Sequence, residues 1–180
     1  MDHSASDQPL LVRAIGHLST ASGVVAALMI LAAVLITCQM IFIRAVLGQS
    51  TVWQTEAVIY LMIAATLIGL PYVQKLKGHV GVDLVPSMLG EKGRRVLAFF
   101  TLVVTAGMIL LMLYYAYDMW HFAWKRGWKS ETVWAVPLWI PYLSVPVGFG
   151  LFLLQLVADL WMVVTGKTTA APVAAEDRRH

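Results

Sequence analysis

Four stretches of this chain run for about twenty residues with almost no charge, and a chain built that way has few stable options outside a lipid bilayer. Ala21 to Ile43 carries no charged residue over 23 positions. Ala57 to Gln74 carries none, and the apolar run reaches back past Glu56 to Val52. Val96 to Tyr117 is uncharged over 22 positions, and Val133 to Gly166 holds only Asp159. A hydrocarbon core of ~30 Å needs ~20 helical residues. Bare backbone amides are not tolerated in lipid, so each span must be helical. Charged residues are 13% of the 180-residue chain, against about 25% in a soluble domain. The expected fold is an all-α integral membrane protein of four transmembrane helices, spanning about 21–43, 52–74, 96–120 and 142–165.

Basic residues orient these spans. Arg13 on the N-terminal tail, Lys75, Lys77, Lys92, Arg94 and Arg95 around the middle loop, and Lys167, Arg178 and Arg179 on the C-terminal tail make nine on one side. The other two loops carry four: Arg44, Lys125, Arg126 and Lys129. The positive-inside rule therefore predicts cytoplasmic termini and a cytoplasmic middle loop, an N-in/C-in topology. Residues 1–12 hold no Lys or Arg, and the apolar run after them is too long for the h-region of a signal peptide. It reads as a retained first span. No basic run is long enough to track a phosphate backbone, so nucleic acid is not an expected partner. The single Cys38 rules out an intrachain disulfide and reads as a buried, inert thiol.

The polar tails, 1–12 and 167–180, flank a membrane domain at 13–166. In the middle loop, Asp83 is placed to cap a short helix with Pro86 in its first turn and Gly90 at its end. Leu84, Val85, Met88 and Leu89 would share its apolar face against the cytoplasmic membrane surface. An irregular connector is the alternative. The last apolar stretch, 34 residues and ~51 Å as one helix, is too long for a single upright span. Pro137, Pro141 and Pro146 interrupt it, which predicts an interfacial segment at 133–141 and a helix at 142–165, kinked near Pro146.

No catalytic constellation stands out. The chain has no closely spaced carboxylate pair, no Ser/His/Asp context and no Cys/His metal cluster. His3, His17, His79, His121 and His180 all lie away from mid-span, where a b-type haem would need ligands, so no cofactor is expected. The polar residues that approach the bilayer are Gln39, Glu56, Gln155 and Asp159, and such residues are functional candidates. Arg44 is a plausible partner for Glu56 across the short first loop. Asp159 is placed to meet the Lys75/Lys77 region or a partner chain. Trp120, Trp124 and Trp128 recur every four residues and would line one helical stripe interleaved with Lys125, Arg126 and Lys129. With Trp53, Trp134 and Trp139 they read either as an interfacial belt or as a docking surface.

An ordered set of motifs resembles the small membrane subunit of tripartite ATP-independent periplasmic (TRAP) transporters, the DctQ-like Q subunit. Arg44 closes the first span. Trp53-Gln-Thr-Glu56 opens the second, with Tyr60 one turn later and Gly69 near its end. Lys77-Gly78-His79-Val80-Gly81-Val82-Asp83 follows, then Gly90-Glu91-Lys92-Gly93-Arg94-Arg95. Ile140-Pro141-Tyr142 and Val145-Pro146-Val147-Gly148 open the last span. The resemblance implies a non-catalytic inner-membrane subunit that packs on a large M subunit, with a periplasmic binding protein delivering the solute, often an organic acid, under sodium coupling. Arg44, Trp53, Glu56, Gly78, His79, Asp83, Pro141 and Pro146 are then expected as architectural residues. Trp120, Trp124, Lys125, Arg126, Trp128, Lys129 and Asp159 are candidates for partner contact. A membrane anchor for a redox complex and a small homo-oligomeric transporter are the competing readings.

Overall fold

The computed structural model of the protein describes residues 10–76, 91–132 and 134–165. They form four helices: α1 (Leu10–Leu47), α2 (Val52–Lys75), α3 (Glu91–Arg126) and α4 (Trp139–Val164). All four are long and apolar enough to cross a membrane, so the four-span all-α architecture stands. The expected interfacial helix, with Gly78, His79 and Asp83, lies outside the described residues.

Two helices outrun their expected limits. The 38 residues of α1 and the 36 of α3 reach ~57 and ~54 Å. Residues 10–12, expected in the tail, belong to α1, and Val12 is buried. The helix stops where Gly48 takes φ 59°, the left-handed conformation that ends many helices. Helix α4 starts at Trp139, three residues before the sequence places it. Pro141 falls in its first turn, where the missing amide would have had no intrahelical acceptor. Ser144 Oγ donates to the Pro141 carbonyl at 2.7 Å, and the helix runs on through Pro146.

The helices pack in the order α1, α2, α4, α3, with α1 also touching α4. Among the described residues α3 touches only α4. The buried residues are mostly small: Ser19, Ser22, Ala26, Ala33, Ala64, Ala65, Ala116, Ala123, Ser144, Gly148 and Ala158. Leu28, Leu31, Leu35, Phe100 and Leu111 face outward. That inversion follows from the solvent. Lipid is as apolar as leucine, so spans associate through close backbone approach rather than by hiding large side chains. Gly148 shows the closeness, since a Cβ there would lie 2.7 Å from the Leu67 carbonyl oxygen. At Gly23 a methyl would collide with the Tyr72 ring. Cys38, expected inside, lies exposed on α1.

Candidate functional site

Two polar networks tie the bundle, one at each end. At the end rich in tryptophan, Glu56 projects from the first turns of α2 and is buried. Its carboxylate has no cation beside it among the described residues. Instead it accepts from Tyr60 at 2.6 Å, from Thr132 Oγ1 at 2.5 Å and from the Ser130 hydroxyl. Tyr60 lies one turn along the same helix, while Ser130 and Thr132 come from the α3–α4 loop. Ionised carboxylates only accept, and hydroxyl donors to them are strong partners. Glu56 thus clamps the loop onto α2. Arg44, expected beside it, donates from Nε to Thr51 Oγ1 at 2.5 Å. It fastens the end of α1 to Thr51, the buried residue just before α2.

The clamped loop has its own structure. Gly127, at φ 59°, closes α3 with its amide on the Trp124 carbonyl and the Trp128 amide on the Ala123 carbonyl. These are the paired bonds of a glycine-terminated helix end. Ser130 N–H donates to Val136 at 2.8 Å and Leu138 N–H to Trp128 at 2.9 Å, forming a short antiparallel ribbon. The turn at Gly127 breaks the expected tryptophan stripe. Trp120 and Trp124 stay in contact at 5.7 Å between ring centroids, and Trp124 meets Trp139 edge-on at 4.6 Å. Trp128 instead packs on Phe122, whose other contact is the Arg126 guanidinium at 4.4 Å. Trp134 from the loop reaches Trp53 on α2 at 6.0 Å, a second tie beside the Glu56 clamp. Lys125, Arg126 and Lys129 are exposed around this cluster.

At the opposite end a chain of side-chain hydrogen bonds crosses three helices. Ser19 of α1 donates to Gln155 Oε1 of α4 at 2.6 Å. The Gln155 amide donates to Asp159 Oδ1 at 2.9 Å, and Gln74 of α2 donates to Oδ2 at 2.9 Å. Lys75, expected near Asp159, donates to Gly16 O at 2.7 Å and to Thr20 Oγ1 at 2.6 Å on α1. Lys77 lies outside the described residues. Polar side chains within a bilayer need partners from neighbouring helices, and here the buried Gln155 and the part-buried Asp159 find them within the chain. Among the described residues no three His, Cys, Asp or Glu side chains converge as a metal site requires.

The sequence singled out Glu56, Gln155 and Asp159, but not Ser130, Thr132, Ser19 or Gln74 as their partners. Loop hydroxyls and span-end amides are too common to stand out before the helices are assembled. Pro141 and Pro146 shape the start of α4 and hold no polar group of either network.

Comparison with known proteins decides the family. Residues 33–166 match the family model described as "Tripartite ATP-independent periplasmic transporters, DctQ component". The chain belongs to the DctQ family. Two curated relatives agree. A C4-dicarboxylate TRAP transporter small permease protein DctQ of Vibrio cholerae is 22% identical, across 74% of this chain and 66% of its own length. The protein of the same name from Pseudomonas aeruginosa is 24% identical, across 72% of this chain and 63% of its own. The chain thus spans just under two thirds of the length of these relatives. As a DctQ component with four membrane-spanning helices it is an inner-membrane permease subunit of the TRAP class.

Proposed function

We propose that this DctQ protein is a non-catalytic scaffold: it packs on the large membrane subunit of a sodium-coupled TRAP transporter and holds that subunit fixed in the bilayer. A periplasmic binding protein supplies the solute, an organic acid of the dicarboxylate kind named for both relatives. The observation that carries this reading is how the chain uses its polar groups in the membrane. Glu56 and Asp159 are engaged with side chains of neighbouring segments, as parts that hold helices in register. A fixed support needs such ties.

The charge bias supports cytoplasmic termini and a cytoplasmic middle loop, which puts the tryptophan end at the periplasmic face. There Trp120, Trp124, Trp128 and exposed Lys125, Arg126 and Lys129 form the patch we assign to docking the binding protein. The same charge bias puts Gly78, His79 and Asp83 on the cytoplasmic side, away from the solute path.

The test is reconstitution. The chain purified with the large subunit should form a one-to-one complex, and uptake in proteoliposomes should need both together with the binding protein. Uptake by this chain alone would overturn the scaffold reading, and so would failure of any complex to form.

A further inference from the structure

Helix α3 has one face with a helix on it and one without. Ala116 and Ala123 are buried in the contact with α4. Away from that contact, at helical spacing, Leu111, Tyr114, Tyr115 and Phe122 are 58%, 68%, 63% and 40% exposed. Asp118 sits at the centre of this face, also exposed, and has no hydrogen bond or ion pair among the described residues. The groups one turn along are occupied elsewhere: His121 stacks on Tyr117 at 5.9 Å, and Phe122 holds Trp128 and Arg126.

The register of α3 on α4 sets the depth of that carboxylate. Trp124 meets Trp139, the first residue of α4, and such tryptophans mark the membrane interface. Asp118 lies six residues earlier on α3, so it sits ~9 Å further into the bundle's membrane zone. Ionisable groups within spans face protein or water and pair with one another, because hydrocarbon offers them nothing.

We infer that this face of α3 is the contact with the large permease subunit, and that the partner sets a lysine or arginine against Asp118. The inference rests on the multi-subunit reading above and adds the surface and the charge of the contact. A second copy of this chain is the poorer fit, since a two-fold pairing through the same face would bring two carboxylates together. Lipid is poorer still, because its charged groups lie at the headgroup level above Asp118.

The experiment uses the full chain co-expressed with the large subunit, with a photo-reactive residue at position 118 or, as a control, at the exposed Leu28 of α1. Position 118 should yield an adduct with the large subunit, at least about tenfold above position 28. Asp118→Lys should lower copurification of the large subunit by about tenfold or more, as expected when a charge pair is reversed, while the variant alone still elutes as a single folded species. Should Asp118→Lys fail to fold, Asp118→Asn should still lower copurification several-fold. A self-adduct or lipid adducts alone at 118 with the complex intact would overturn this inference and leave the scaffold role standing. Wild-type copurification by the folded Asp118→Lys protein would do the same. No complex from the wild-type chain would overturn the scaffold role, and the inference with it.

Discussion

Helices α3 and α4 look alike to a hydropathy scale and behave differently in the bundle. The most apolar window of α3 has mean hydropathy 2.6 and that of α4 has 2.0, yet none of the first is buried and 28% of the second is. What separates them is small and polar residues at the right spacing. Helix α4 carries Ser144, Gly148, Gln155 and Ala158, all buried, at the spacing of one helical face. Helix α3 carries leucine, valine, phenylalanine and tyrosine through its middle. In a bilayer, small and polar residues on one face, and not hydrophobicity, mark the helix at the core.

The widest split between the two helices should come from their glycines. Gly148→Leu drives a side chain into the Leu67 backbone and should cost at least about 1–3 kcal/mol, read as a lowered melting temperature in detergent. Gly107→Leu on α3, where nothing lies within 4 Å, should stay within about 0.5 kcal/mol of the parent. Equal losses at the two sites would erase the distinction between core and rim. Next in size is Gln155→Leu, which removes the link from Ser19 to Asp159. Interhelical hydrogen bonds of this kind contribute about 0.6–2 kcal/mol in membranes, so a modest drop in melting temperature is expected.

Glu56→Ala should act more locally. With three hydroxyl donors released, residues 127–138 should exchange amide hydrogens faster while the α2 and α4 cores keep their protection. Unchanged protection of the loop would mean that the Trp53–Trp134 contact holds it without the carboxylate. The smallest effect is expected at the exposed basic cluster. Reversing Lys125, Arg126 and Lys129 should slow uptake a few-fold at low salt, less at high salt, with assembly intact. Uptake that does not change would return the cluster to the role of an interfacial belt.

Much of this architecture was readable from where charge is missing. The four spans, and the significance of Glu56 and Asp159, follow from isolated carboxylates near long apolar runs. Their partners were not readable. Ser130 and Thr132 stand 74 and 76 residues from Glu56, and Gln74 stands 85 from Asp159, separations that only the assembled bundle closes. The tryptophan stripe failed at Trp128 because Gly127 ends the helix one residue earlier. Asp118 falls inside the expected third span at 96–120 but was not among the candidate residues, since the uncharged run stops at Tyr117. The seating of Trp124 on Trp139 gives that position a depth relative to the interface.

The contrast between α3 and α4 comes down to which faces a partner covers. Single cysteines introduced along 108–122 in a Cys38→Ala background, probed with a membrane-soluble thiol reagent with and without the large subunit, would read this directly. We predict protection by the large subunit at positions 111, 114, 115, 118 and 122, with the 108, 112 and 119 positions still reactive. Reactivity that the large subunit leaves unchanged all along α3 would contradict the account.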